Sequence, residues 1–377
     1  MRLIYLDYNA TTPIAPAVQE AMAPFLTEHY GNPSSDHALG RACYEAVEDA
    51  RGRLAQLLGA DDDEIVFTSS GTESNNLALK GVAFRHAPGG GGHFVISAIE
   101  HPAIVQPAAF LERLGYDVTV VGCDARGLID PAEVQSALRS DTALVSIMHA
   151  NNEIGAVEPI REIAEICRDR GVLFHTDAAQ SIGKTVVRVK DLGVDMLTVA
   201  GHKIYAPKGV GALYVRRGVD LEPVLHGAGH ERGFRAGTEN VPYIVGLGRA
   251  AAVIEEHLNE AVDRLAMLRD RLWTRLAGAI DGLSFNGDVA ARLPNTLSAN
   301  FPDVNGAELL GRCPELCAST GAACHAGTTQ MSATLEAIGI SPDVARGTVR
   351  LSVGWYTTED EIDRAAELLI AGWESLR

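Results

Sequence analysis

From about residue 45 to 215, short β-branched apolar runs alternate with longer stretches of helical period, as βαβ units around a mainly parallel sheet require. The runs predict strands at 64–68, 93–97, 117–121, 143–147, 172–176, 195–199 and 210–215; helical patterns at 72–86, 102–114, 131–139 and 159–170 fall among them. From about 240 to 280, a segment rich in Ala, Leu, Glu and Arg predicts an extended amphipathic helix able to link two domains. Strands near 295–300 and 348–353 and a charged helix at 358–376 then predict a smaller α+β unit. No internal repeat is seen. Gly89–Gly92 precedes a strand rather than opening a helix, so it predicts a flexible loop and not a phosphate cradle.

Composition narrows the function classes. At 377 residues the chain exceeds the usual reach of one hydrophobic core, which points to roughly two domains. With 46% hydrophobic and 21% charged residues it is neither disordered nor collagen nor coiled coil. A formal charge of −17 offers no general basic surface to nucleic acid or an anionic membrane. Uncharged apolar runs stay below the ~18 residues of a membrane span, and Asp7 interrupts the N-terminal segment too early for a signal peptide, so a cytoplasmic protein is expected. Cys43, Cys123, Cys167, Cys313, Cys317 and Cys324 are too scattered for a disulfide scaffold and lack the paired spacing of a zinc site; no metal is expected.

Five constellations carry chemistry. Thr68-Ser69-Ser70-Gly71-Thr72-Glu73 follows a predicted strand and opens a predicted helix, where free N–H groups and the helix dipole bind phosphate; the alternative is a plain N-cap with an acid three residues on. A nucleotide-triphosphate loop is excluded, because Gly183-Lys184-Thr185 has Ala178 where the first glycine should stand. The strands ending in Asp177 and in Ala200-Gly201-His202-Lys203 place a carboxylate and a lysine beyond strand carboxyl ends, where open α/β sheets bind ligands. Pyridoxal phosphate needs that pair: a Schiff-base lysine, and an acid to keep the pyridine nitrogen protonated.

His101, in Ile99-Glu100-His101-Pro102, can stack on a planar cofactor and shuttle protons, or simply begin a helix. Cys324, among small residues and beside His325, is placed to be an exposed thiolate, whereas Cys43, Cys123 and Cys167 sit in apolar or helical contexts. Arg350, on an alternating apolar strand, suits capture of a carboxylate unless that strand is an edge facing solvent. The glycine-rich basic segment 230–240 needs pinning, with a phosphate or a second subunit as the expected partner.

Together these residues resemble the cysteine desulfurases of the class V aminotransferase group, with likeness also to the selenocysteine lyase branch. The resemblance runs from Tyr5-Leu-Asp-Tyr-Asn-Ala-Thr-Thr-Pro13 and Gly31-Asn-Pro-Ser-Ser35 to Arg350-Leu-Ser-Val-Gly354 and Thr357-Thr358-Glu359. It implies an α/β, fold type I, pyridoxal phosphate-dependent homodimer. Residues 15–255 would form the large domain; 1–14 and 256–377 would form the small one carrying the cysteine loop. It further implies that Lys203 is the Schiff-base lysine, Asp177 the pyridinium partner, Gln180 the contact to the phenolic oxygen and His101 the stacking ring. Gly71, Thr72 and His202 would hold the phosphate, with Thr238 from the other subunit. Asn152 and Arg350 would receive the substrate carboxylate. Cys324 would take the sulfur of L-cysteine as a persulfide, releasing L-alanine and passing the sulfur to an acceptor protein.

Two departures stand out. Ala200 replaces the serine that many desulfurases carry before Gly-His-Lys, which implies one phosphate hydrogen bond fewer or one supplied elsewhere. Gly-Ala-Ala-Cys-His around Cys324 is nearer the selenocysteine lyase branch, while Pro102 stands where animal selenocysteine lyases have an aspartate. Selenocysteine lyase and another class V aminotransferase are therefore the alternative activities.

Overall fold

The structure is a computed structural model describing residues 3–320, 322–325 and 328–377; the side chains of 322–325 and 328–330 lie outside the description. The strands are β1 (Ile4–Tyr5), β2 (Ile65–Thr68), β3 (His93–Ser97), β4 (Asp117–Val121), β5 (Thr142–Ser146), β6 (Leu173–Asp177), β7 (Met196–Ala200) and β8 (Gly211–Val215) in the first part of the chain. The second part contributes β9 (Ser284–Asn286), β10 (Thr296–Asn300), β11 (Leu316–Cys317), β12 (Ser319–Thr320), β13 (Ala322–His325), β14 (Thr328–Met331) and β15 (Thr348–Ser352).

Seven strands form one sheet in the order β2-β8-β7-β6-β5-β3-β4. β7, β6, β5, β3 and β4 run parallel. β8 runs antiparallel to both its neighbours, so β2 again points with the rest. The carboxyl ends of β2, β6 and β7 consequently share one edge, the position that gathers Ser70, Asp177 and Lys203. Each strand and helix expected between 64 and 215 is present, with ends within two residues of the expected ones.

Apolar residues cover both faces of this sheet. One face packs Leu77, Val82, Ile104 and Leu111 from helices Gly71–His86 and Pro102–Arg113. The other packs Val47, Leu54 and Leu58 of helix Ala38–Leu58 against Phe174, Leu197 and Val199. That 21-residue helix is not legible in the sequence, because Gly40, Gly52 and the buried Arg51 break up its apolar stripe. Helix Val241–Ala277 reads as expected: at 37 residues it extends about 55 Å. Its first half buries Ile244, Leu247 and Ile254 in the sheet's core, and its second half buries Leu265, Leu268 and Leu272 in another, with β10, β15 and helix Glu359–Glu374.

That second core lies under the sheet β12-β15-β10-β9, whose pairings are all antiparallel. The N-terminal segment joins it: β1 pairs with β11, and Asp7 bridges to Ser352. Among the described residues, no helix is long and apolar enough to cross a membrane.

Candidate active site

Helix Gly71–His86 opens at the end of β2 with Ser70 as N-cap, its hydroxyl accepting from the Glu73 N–H at 3.2 Å. The N–H groups of Gly71 and Thr72 fall in the first turn, which has no intrahelical acceptors for them. The N-cap and the anion-binding reading therefore coexist: the cap satisfies one donor and leaves others facing the cavity. A Cβ on Gly71 would come within 3.2 Å of the Ala200 Cβ, so the helix end sits tight against β7.

β6 ends in Asp177, which is buried. Its Oδ2 accepts from Asn75 Nδ2 at 2.7 Å and its Oδ1 from the Ala179 N–H at 2.9 Å. Lys203 stands in the 3₁₀ turn Gly201–Lys203 that follows β7. Its Nζ donates to the main-chain oxygens of Asn9 (2.5 Å) and Ala10 (2.8 Å). Burial, and then the charge of Arg350, push the Lys203 amine down to about 8 against the opposing pull of Asp177 and Asp7. Gln180 donates through Nε2 to the same Asn9 oxygen at 2.9 Å.

His101 caps helix Pro102–Arg113, its Nδ1 accepting from the Ala103 N–H at 3.1 Å, with Pro102 at the first helical position. It also lines the cavity, so capping the helix leaves its ring at the site. Desolvation, partly opposed by Asp177 and assisted by Lys203, lowers its pKa. Beside it, Glu100 accepts from Ser97 Oγ (2.6 Å) and the Met148 N–H (2.8 Å), tying the end of β3 to the segment after β5. Complete burial raises Glu100 to about 8. His202 is brought down to about 4 by burial and by Lys203, so it offers the site a neutral N–H rather than a charge.

Arg350 lies on β15, which is flanked by β12 and β10 and is not an edge strand. Its Nη1 donates to the Asn152 main-chain oxygen at 3.1 Å and its Nη2 to Asp7 Oδ1 at 2.8 Å. These residues converge on one cavity of about 400 Å³, lined by Gly71, Thr72, His101, Asn152, Asp177, Gln180, His202, Lys203 and Arg350. Asn9, Ser70 and Asn75 also line it; Ser70 belongs to the helix-start motif legible in the sequence, whereas Asn9 and Asn75 act through contacts remote in sequence.

Two expected residues stand apart. Thr238 is exposed and does not line the cavity. Cys324 lies on β13 with its backbone opposite Thr329 of β14, but the expected exposure and thiolate character of its side chain fall outside the described residues. Among the others, Cys43, Cys167 and Cys313 are buried free thiols, and burial raises Cys167 and Cys123 to about 12 and 11. The segment 230–240, expected to rest on a phosphate or a second subunit, is already anchored within the chain: Glu231 pairs with Arg51 and Arg235 with Glu73.

The cavity fits pyridoxal phosphate. It presents an anion-binding helix start, a buried carboxylate for a pyridine nitrogen and an amine with a lowered pKa for an aldehyde. Asn75, which is fully buried, keeps its Oδ1 without a partner among the described residues.

The Aminotransferase class-V family model matches residues 4–365, and the chain belongs to that family of pyridoxal phosphate enzymes. "Cysteine desulfurase IscS" of Dictyoglomus turgidum is 44% identical over 378 residues, covering 100% of this chain and 96% of the relative. Its namesake in Pectobacterium carotovorum subsp. carotovorum is 47% identical over 371 residues, covering 97% and 91%. Among solved structures, a NifS-like protein matches with a TM-score of 0.92 at 37% identity, covering 100% of this chain and 99% of that one. SspA in complex with cysteine matches with a TM-score of 0.80 at 38% identity, covering 94% and 99%. The architecture is thus the fold type I expected from the sequence.

Proposed function

We propose that this chain is a pyridoxal phosphate-dependent cysteine desulfurase that releases L-alanine from L-cysteine and keeps the sulfur as a persulfide on Cys324. The observation that carries this reading is the convergence of Lys203, Asp177, the helix start at Gly71 and Arg350 on one cavity. When bound, pyridoxal phosphate supplies an aldehyde for amines and a ring that accepts the electron pair left by a departing α-proton.

The chain's own residues do the rest. Gly71, Thr72 and His202 would hold the phosphate, Asp177 the pyridine nitrogen and Gln180 the phenolic oxygen, with His101 beside the ring. Arg350 and Asn152 hold the substrate carboxylate, which fixes the α-carbon relative to Lys203. With its pKa near 8, the Lys203 amine is partly unprotonated near neutral pH and can take the α-proton and return it. Cys324, as thiolate, forms an S–S bond to the substrate sulfur while the C–S bond breaks. The electron pair of that bond stays with carbon, which takes up a proton to become alanine, so the step balances without an added oxidant.

The same reading makes the chain a cytoplasmic homodimer in which Thr238 reaches the partner's cavity. The persulfide then supplies an acceptor protein, as iron–sulfur cluster assembly requires. Free thiols at the five described cysteines suit a reducing compartment.

The test is alanine release from the purified, cofactor-loaded protein given L-cysteine or L-selenocysteine with reductant. Release from cysteine that disappears in Cys324→Ala supports the proposal. Turnover of selenocysteine alone would make the protein a selenocysteine lyase, and formation of a keto acid in place of alanine would make it a transaminase.

A further inference from the structure

Lys184 has no task in the reading above, yet it is only 6% exposed and sits one hydrogen bond from the cavity. Its Nζ donates to Gln180 Oε1 at 2.6 Å and to Asn9 Oδ1 at 3.1 Å. Among the described residues no carboxylate bonds to it, and the charged groups that act on it, Lys203 and Arg350, are both positive. Burial first, and then those two charges, push its amine well below the ordinary lysine range. A neutral amine has two N–H groups, and both find acceptors here; an ammonium would leave a third buried donor unpaired.

Both acceptors are side-chain amides, and an amide has a direction. With its oxygen held by Lys184, Gln180 turns Nε2 toward the Asn9 main-chain oxygen, which also accepts from Lys203. With Oδ1 held by Lys184 and by Asn295 Nδ2 (3.0 Å), Asn9 turns its own Nδ2 to the Asn152 oxygen (3.2 Å) and Thr296 Oγ1 (2.8 Å). Swapping the Gln180 amide would take its oxygen away from the Lys184 donor and set that oxygen against the Asn9 oxygen, two acceptors with no proton between them. The network therefore admits one direction for each amide, and Lys184 is the donor that both amide oxygens share, acting with the Asn9 main-chain oxygen on Gln180 and with Asn295 and Asn152 on Asn9.

We infer that Lys184 is a positioning residue that fixes the direction of the Gln180 and Asn9 amides, so that Gln180 presents N–H rather than oxygen to the phenolic oxygen of pyridoxal phosphate. The inference rests on the cavity reading proposed above. A donor on a phenolic oxygen stabilises its anionic form, so losing that donor makes the bound cofactor hold its proton to higher pH.

The experiment is a pH titration of the visible absorbance of the cofactor-loaded protein, without substrate. In Lys184→Met the midpoint is expected to rise by about one pH unit, as for one lost hydrogen bond to a charged group. Gln180→Leu should shift it by a similar amount, and the double variant no further, because both changes remove the same donor. Lys184→Gln, which keeps an N–H for the Gln180 oxygen, should lie nearer wild type. Should Lys184→Met fail to fold, Lys184→Ala carries the same expectation. A wild-type midpoint in the folded variant, or shifts that add in the double variant, would overturn the role of Lys184 alone. Wild-type protein that takes up pyridoxal phosphate but shows no change in Gln180→Leu would instead overturn the placement of Gln180 at the cofactor.

Discussion

Arg51 and Glu231, 180 positions apart, form a buried two-pronged ion pair, Nη1 to Oε2 at 2.8 Å and Nη2 to Oε1 at 3.0 Å. Arg51 also donates to the Ile65 oxygen, and Glu231 accepts from the Phe67 N–H, so the pair clamps segment 230–240 onto β2. The clamp holds Glu231 and Arg232 at φ of 48° and 55°, a region that side chains other than glycine seldom occupy. Removing Glu231 strips the buried Arg51 of its two-pronged partner and leaves it the partly exposed Glu48, at 3.0 Å from Nε. Glu231→Ala is expected to cost ~3–5 kcal/mol in urea unfolding, and Arg51→Met/Glu231→Leu less than the two single changes summed. Equal additive losses would show that the pair is not the clamp.

The pKa of Lys203 sets a pH dependence that can be read without substrate. In the cofactor-free protein, the rate of pyridoxal phosphate capture should rise with pH through a midpoint of about 8, because only the unprotonated amine attacks an aldehyde. Arg350 lowers that pKa, so Arg350→Gln should move the midpoint up. The folded value also lies below the ordinary 10.5, so between about 8 and 10.5 the unfolded chain binds more protons. This group's contribution to stability therefore improves as pH rises through that window.

Asp177 acts on Lys203 with the opposite sign. Asp177→Asn keeps the shape that Asn75 and Ala179 engage but removes the charge, so the capture midpoint should fall. Alanine release should drop by about 10²-fold or more, within the range for loss of a proton-holding group. A midpoint that moves upward would show that the carboxylate does not face the lysine.

Arg350 satisfies two different acceptors with separate nitrogens, Asp7 and the Asn152 oxygen. Lysine cannot reproduce that fork. Arg350→Lys should raise KM for L-cysteine by roughly 10–100-fold, the range of a lost charged hydrogen bond, with a smaller effect on kcat. A selective fall in kcat would assign Arg350 to the reacting atoms instead.

Gly248 and Ala50 mark where two helices touch backbone to backbone. A Cβ on Gly248 would lie 2.4 Å from the Ala50 Cα and 2.5 Å from its Cβ. Gly248→Ala should therefore lower stability by about 1–3 kcal/mol, measurable by thermal unfolding, because the helices must part to admit the methyl.

The parallel sheet was legible because strands covered on both faces read as unbroken apolar runs such as Met196–Ala200. Asp177 and Lys203 were legible because the chain places them directly at strand ends. Helix Ala38–Leu58 was not, since its inward face includes Arg51, whose partner Glu231 is invisible locally. The two-residue strands β1, β11 and β12 are too short to show alternation. Lys184 was weighed only as part of a nucleotide loop; its real setting depends on Asn9, 175 positions away, which no local pattern encodes.

The junction at Asn9 bears on how the molecule is made. Its N–H donates to Ser352 Oγ, 343 positions downstream. A ribosome therefore emits one corner of the reaction centre 343 residues before the other. Until Ser352 has emerged the nascent chain can shape the sheet but cannot close the chamber around Lys203, so reactive chemistry is withheld until the small sheet's β15 has been made.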